Sequence, residues 1–386
     1  MQNRVSCLWK EVGVTKPYKS AVSLHGHTSH SQESLYFIPS MASCFPPLRW
    51  LISRQEKKAQ SYSVPVNFIK GYWTPPLAPV PAFHLERSQI EQELDVAAII
   101  SLTDHDNIDA PSLLRVVPES QQIPMSLEWS VPSHGTVFHL GVHNLPGVQA
   151  QDIVRQLNAF TDDPSYQRLH ELLDMLDRLR DVLIVLNHPL WDLPSIGREQ
   201  HRHALNAFVT EFGSYLHAFE LGGLRSWQEN HEVAQFAAGW NQLVIAGGDR
   251  HGCEPSAVVN LTEAESFPEF VHQVRREKRS HVLFMPQYNE PLALRIALSV
   301  LDVMREYPDY APGSRRWDER VFHPNRQGEM RPLAEMWEKP PALIRFFANA
   351  VNLLEAAYVR RLMRFALTLP PHEPRLLLGE NQEVAL

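Results

Sequence analysis

The stretch Val96-Ala97-Ala98-Ile99-Ile100-Ser101-Leu102-Thr103-Asp104-His105-Asp106 sets how the rest of the chain is read. A short, largely apolar run of this kind fits a buried strand, and it stops at side chains that bind protons and cations. The arrangement recurs along the chain. Ala21-Val22-Ser23-Leu24 runs into His25-Gly26-His27, Pro124 to Leu127 ends in Glu128, and Thr136-Val137-Phe138 ends in His139. Val182 to Leu186 leads to Asn187-His188-Pro189, His217-Ala218-Phe219 to Glu220, and Leu243 to Ala246 to Gly247-Gly248-Asp249-Arg250-His251. A last run, His281-Val282-Leu283-Phe284, carries no such residue.

Between these runs lie segments with apolar residues three and four apart, which predict helices. Ser165 to Arg180, with Leu169, Leu172, Leu173, Leu176 and Leu179, is one; Arg225 to Trp240 and Ala264 to Lys278 are others. Strands alternating with helices predict an α/β fold with a mainly parallel sheet. Because a ligand-type residue leaves nearly every strand, a closed barrel accounts for them better than an open doubly wound sheet, whose site gathers at one switch point.

The 386 residues are 44% hydrophobic and 21% charged, enough to bury a substantial core. A formal charge of -8 argues against coating nucleic acid or an anionic membrane by bulk charge. Cys7, Cys44 and Cys253 are odd in number and far apart, so neither a disulfide framework nor a cysteine-built zinc module is expected. No run approaches the ~20 apolar residues of a membrane span, and Met1 to Tyr18 lacks the apolar core of a signal peptide. A cytoplasmic protein without a transmembrane segment is expected.

Imidazole nitrogens and carboxylate oxygens without thiolates suit zinc, manganese or iron in a site that does chemistry. In a regular strand, residues i and i+2 share a face, so His25 and His27 can reach one ion, as can Asp249 and His251. A carboxylate bridging two cations offsets their repulsion.

These motifs resemble those of the polymerase and histidinol phosphatase (PHP) family, over Leu24 to Gly252. Leu24-His25-Gly26-His27-Thr28 is similar to its first motif, Thr103-Asp104-His105-Asp106-Asn107 to its second, and Leu127-Glu128 to its glutamate motif. His139-Leu140-Gly141, Asn187-His188-Pro189 and Gly248-Asp249-Arg250-His251-Gly252 are similar to the motifs that follow. The resemblance implies a distorted seven-stranded β/α barrel with two or three divalent ions (zinc, manganese or iron) at the C-terminal end of its strands. It places a first ion on His25, His27, Glu128 and Asp249, and a second on Glu128, His139 and His188. A third would use His105 and His251. The chain departs from the pattern after the first motif, where Gln32 and Glu33 stand; Glu33 is the candidate remaining ligand, with Gln32 and His30 as alternatives.

The implied reaction is hydrolysis of a phosphate ester on a small phosphorylated metabolite or nucleotide, by attack of a metal-bound hydroxide. Asp104 is read either as orienting a ligating histidine from behind or as capping its turn. Arg250 is read either as a phosphate contact or as part of the barrel wall. Glu220 is expected to support the site without ligating, and His134 and His143 to stand in loops or behind ligands. Two alternatives stay open: a nuclease or phosphodiesterase acting on oligonucleotides, and a metal-binding scaffold without turnover.

Two additions complete the layout. Ser34 to Glu86, with Trp50, Tyr62, Phe68, Tyr72, Trp73 and basic Arg54, Lys57, Lys58 and Lys70, follows the first ligand strand and is read as either a substrate-binding flap or a packed cover. The barrel is expected to end near 289. Residues 290–386 form an extension with helices at Pro291 to Arg305 and Pro341 to Leu367, whose apolar stripe suits a core or a homo-oligomer contact.

Overall fold

The computed structural model describes residues 2–35 and 70–337. The apolar runs become two five-stranded sheets. The first has the order β1 (Gln2–Cys7), β12 (Arg279–Phe284), β11 (Val258–Thr262), β2 (Ser20–Ser23), β5 (Ala97–Ile100); the second runs β10 (Leu243–Gly247), β9 (Ala218–Gly222), β8 (Leu183–Asn187), β7 (Thr136–Leu145), β6 (Met125–Ser133). A smaller sheet joins β14 (Met330–Pro332), β13 (Val321–Pro324), β4 (Tyr72–Trp73) and β3 (Glu33–Ser34).

The expected mainly parallel sheet is corrected to a mixed one. β2 with β5 and β8 with β9 and β10 are parallel, whereas β6, β7 and β8 run antiparallel in succession. The cause is local: His134 and Gly135 both have positive φ, 51° and 77°, which suits a tight two-residue hairpin turn between β6 and β7. Both strands continue past their ligand-type residues, so Glu128 and His139 sit within strands and not at their ends. Nor are the sheets closed into one continuously hydrogen-bonded barrel. They meet at two isolated bridges, Gly26 with Arg250 and His105 with Glu128.

Helices cover the outside. α1 (Pro79–Leu94) starts with Pro79 at its first turn, where the missing N–H costs nothing. α2 (Asp109–Leu114) follows β5. α3 (Ala150–Asp162), α4 (Tyr166–Arg178) and α5 (Arg198–Phe212) bury Leu157, Phe160, Leu172, Leu173, Phe208 and Phe212 against the second sheet around Trp129. The Trp129 indole N–H is satisfied by Leu157 O and Thr161 Oγ1. Another cluster joins Val22 of the first sheet, and Leu24 just after it, to Leu183, Val185, Ala218, Leu243 and Ile245 of the second, so the sheets share an apolar interior. α6 (Trp227–Gly239) and α7 (Phe267–Arg275) complete the cover.

The extension after residue 289 is helical at α8 (Leu292–Met304), then gives way to β13, β14 and the short α9 (Leu333–Met336). The expected helix at 341–367 and the residues Trp50, Tyr62, Phe68, Arg54, Lys57 and Lys58 lie outside the described residues. Among the described residues, no helix is long and apolar enough to cross a membrane.

Candidate metal centre

The His25-x-His27 pair converges for a reason other than strand alternation. β2 stops at Ser23, and His25 then turns left-handed with φ 60°; Asp249, after β10, does the same with φ 48°, and His188, after β8, has φ 27°. Non-glycine residues at such φ cost of order 1–3 kcal/mol each and gather where side chains must be aimed. Gly26 and Arg250 pair between the two left-handed turns, which sets the His25-x-His27 and Asp249-x-His251 segments side by side.

Glu128, 1% exposed, is the hub. Its Oε2 lies 3.1 Å from His25 Nε2, 3.3 Å from His27 Nε2 and 3.4 Å from His105 Nε2. Its Oε1 lies 3.1 Å from His188 Nε2 and 3.4 Å from His139 Nδ1, and accepts a hydrogen bond from Asn187 Nδ2 at 3.0 Å. One carboxylate therefore presents each oxygen to a different set of imidazoles. Asp249 Oδ1 stands 3.7 Å from both His25 Nε2 and His27 Nε2.

Glu33 anchors a further group. Its Oε2 is 3.1 Å from His251 Nε2 and 3.4 Å from His105 Nε2, and its Oε1 is 3.3 Å from His27 Nδ1 and accepts from Ser31 Oγ at 2.6 Å. The His27 and His251 rings stack at 4.3 Å, and those of His27 and His105 at 5.0 Å.

These residues fit divalent cations on two counts. His25 Nε2, His27 Nε2 and Glu128 Oε2 are all buried and lack hydrogen-bond partners, a costly state that a shared cation would relieve. The donors are imidazole nitrogens and carboxylate oxygens, the set preferred by zinc, manganese and iron. Ligand-type atoms close enough to share an ion form the triads His25, His27, Glu128; His25, His188, Asp249; His27, Glu33, His251; and His105, Glu128, His139.

The electrostatics follow from the same packing. Burial disfavours the His25, His27 and His105 cations, but neighbouring carboxylates outweigh it: His25 is held well above the usual range, His27 is raised to about 8 and His105 to about 10. Burial would raise Glu128, Glu33 and Asp249, yet the surrounding histidines hold all three well below the usual range. His188 goes the other way, lowered to about 4 by burial that Glu128 only partly offsets.

Behind the ligands, Glu220 Oε2 lies 2.5 Å from His25 Nδ1, which leaves Nε2 turned toward Glu128. Gly247 makes room for this contact: a Cβ there would lie 2.3 Å from Glu220 Oε2. His143 is buried in β7 with Nδ1 2.8 Å from Ser101 Oγ, and His134 occupies the hairpin turn, 3.3 Å from Glu211.

For Asp104 and Arg250, each open to two readings in the sequence, the contacts are those of the second. Asp104 accepts hydrogen bonds from the Thr28 amide at 2.6 Å and the Thr28 hydroxyl at 2.7 Å, so it fixes the turn after His27 and does not orient a histidine. Arg250 is 4% exposed and faces the wall, where Nε donates to Glu86 and the other nitrogens to Gly252 O and His27 O; it is not placed to meet a phosphate.

Among the described residues, Arg225 brings a guanidinium to the cluster. Its Nη2 donates to Asp249 Oδ2 at 3.0 Å, and its Cζ sits 4.5 Å over the Trp191 ring, which meets the His188 ring edge-on at 4.9 Å. Sequence reasoning had Arg225 only as a helix start and passed over Trp191. The usable signals were a Trp three residues after His188 and an Arg five after Glu220, each in the turn that follows a ligand-type strand end.

No protein-family model and no curated protein matches the chain. Among solved structures it is similar to PsfC from Pseudomonas syringae PB-5123, at 17% identity and a TM-score of 0.38, covering 57% of this chain and 90% of that one. It is also similar to an amidohydrolase from Chromobacterium violaceum with bound sulfate and no metal, at 15% identity and TM-score 0.31, covering 46% and 83%. A protein from Bifidobacterium adolescentis assigned as a metal-dependent phosphoesterase is similar at 14% identity and TM-score 0.30, covering 50% and 89%.

Proposed function

We propose that the protein is a metal-dependent phosphoesterase that hydrolyses a small phosphorylated metabolite or nucleotide. The observation that carries this reading is Glu128, buried with one oxygen toward His25, His27 and His105 and the other toward His139 and His188. His25, His27, Glu128 and Asp249 would hold one divalent ion, Glu128, His139 and His188 a second, and His105, His251 and Glu33 a third. Bound there, such ions supply Lewis-acid activation of water and neutralise charge developing on a phosphoryl group.

The chain's own residues do the remaining work in this reading. Glu220 holds His25 by its Nδ1, Ser31 holds Glu33, and Asn187 holds Glu128, so each donor keeps its direction without a cation. Arg225, packed on Trp191 and tied to Asp249, offers a positive charge beside the ligands that suits a phosphate oxygen. With this reading goes a finer one of the fold: β2, β5, β6, β7, β8, β9 and β10 as a distorted ring of seven. Its support is the bridges Gly26 with Arg250 and His105 with Glu128, together with the shared interior.

The test is phosphate release from a panel of phosphomonoesters, nucleotides and oligonucleotides with added manganese, for the wild type and Asp249→Ala. Release by the wild type and its loss in a folded variant are expected. A chain that binds manganese yet releases nothing from any substrate would reject the phosphoesterase in favour of a scaffold.

A further inference from the structure

Glu33 has no strand of the two large sheets to carry it. It sits on β3, two residues long, which among the described residues pairs through Glu33 with Trp73 and Ser34 with Tyr72. β4 is equally short, and a two-stranded pairing of this size is not stable by itself in water. The next strand comes from the far end of the chain: Trp73 pairs with Val321 and Tyr72 with Phe322 of β13. The Tyr72 and Phe322 rings stack at 4.9 Å and 13°, and the Thr74 amide donates to Arg320 O at 2.9 Å.

β13 is itself pinned. Arg320 is buried, and its guanidinium donates to Ser314 O, Val303 O and Arg305 O at 2.6, 2.8 and 2.6 Å. Gly71 marks how closely the segments approach, since a Cβ there would meet Leu35 Cδ1 at 2.8 Å and Phe322 O at 3.1 Å. The same small sheet backs His251, whose ring lies 5.7 Å from that of Trp73, while Asp302 of α8 accepts from the Cys253 amide at 2.9 Å just beyond. Glu128, His139 and His188, by contrast, are borne on or directly after strands of the second large sheet.

We propose that β13 is a positioning element for one cation place: by completing the sheet that carries Glu33, it holds that carboxylate against His251 and His105 and sets occupancy of that place separately from the Glu128 cluster. The inference rests on the metal-centre reading above. Its consequence is that residues far from any ligand decide how many cations the chain retains.

Cations per chain, measured by elemental analysis of the full chain after equilibrium dialysis against manganese, test this in the wild type, Glu33→Gln, Phe322→Ala, Phe322→Tyr and Gly71→Val. Phe322→Ala and Gly71→Val are expected to lose the same single cation as Glu33→Gln, with its affinity weakened about tenfold or more. They should keep the others and the wild-type circular dichroism, and Phe322→Tyr, which preserves the ring stack, should keep the full complement. A full complement in Phe322→Ala and Gly71→Val beside a deficit in Glu33→Gln would overturn the role of β13 and leave the metal reading standing. Loss of every cation from a folded Phe322→Ala would overturn the separate control. A wild type that retains no cation would overturn the metal reading and this inference together. Should Phe322→Ala and Gly71→Val fail to fold, Gly71→Ala, which adds one methyl against Phe322 O, carries the same comparison.

Discussion

Arg250 Nε donates to Glu86 Oε1 at 2.7 Å, and both side chains are almost wholly buried. Glu86 uses its other oxygen to accept from Ser23 Oγ at 3.0 Å and the Ser256 amide at 3.1 Å, so α1, β2 and the loop after Asp249 are tied at one carboxylate. Breaking a buried pair strands an uncompensated charge. Glu86→Ala and Arg250→Ala are therefore expected to lower unfolding free energy by about 3–5 kcal/mol in urea titrations. A phosphate contact would instead leave stability intact and raise KM; that outcome for Arg250→Ala would contradict the wall placement.

Arg225 should behave in the opposite manner. It bridges Trp191 and Asp249 at the cluster's edge, where a charge-assisted hydrogen bond to an anionic substrate is worth about 1.5–3 kcal/mol. Arg225→Ala is expected to lower kcat/KM by roughly ten- to hundredfold in the protein that remains folded. Arg225→Lys should recover only part, because an ammonium neither stacks on Trp191 nor forks toward two oxygens. Equal kcat/KM in all three proteins would remove Arg225 from substrate binding.

Cation binding should show in stability as well as turnover. Ions that bind the folded chain and not the unfolded one add RT ln(1 + [L]/Kd), about 2.7 kcal/mol at a hundredfold excess over Kd. Thermal melts with chelator are expected to fall below melts with manganese, and His25→Ala to lose most of that difference. A melting temperature indifferent to chelator would argue against cations in the His25, His27 and Glu128 cluster.

Much of this site can be read in the amino-acid order, and the reasons for the remainder are physical. Apolar runs ending in His25, His105, Glu128, His188 and Asp249 mark which residues meet, because burial makes such runs strands whatever their pairing. Their geometry is less legible. Alternation along a strand suggested why His25 and His27 share a direction, whereas the left-handed φ at His25 does the aiming. The β6–β7 turn rests on His134-Gly135, a weaker hairpin signal than Asn-Gly, and it decides parallel against antiparallel. β3, β4 and β13 are only two to four residues long, too short for any period, and they form because distant segments meet.

Two histidines remote from the cluster should make the fold acid-sensitive. Burial lowers His217 to about 4, with Arg275 and Lys278 adding to the effect and Asp177, 3.0 Å from its Nε2, opposing it. Burial lowers His281 to about 3, helped by Arg4, and its ring nitrogens face Tyr18 Oη at 2.6 Å and Ser6 Oγ at 2.9 Å. An unfolded histidine takes its proton near pH 6.5. Between that value and the folded one, the unfolded chain binds a proton that the folded chain refuses, so acid favours unfolding. The stabilisation is fully present above about pH 6.5 and is lost as pH falls toward 4 and then 3. At about 1.4 kcal/mol per unit, each histidine accounts for a loss of roughly 3 kcal/mol or more across its window. His281→Gln keeps a neutral polar side chain between Tyr18 and Ser6 and removes the titration. Urea unfolding of wild type and variant at pH 8 and pH 5 isolates the term, because other titrating groups cancel in the difference. The wild type should lose more stability than the variant between the two values; equal losses would mean that His281 takes up its proton in the folded chain.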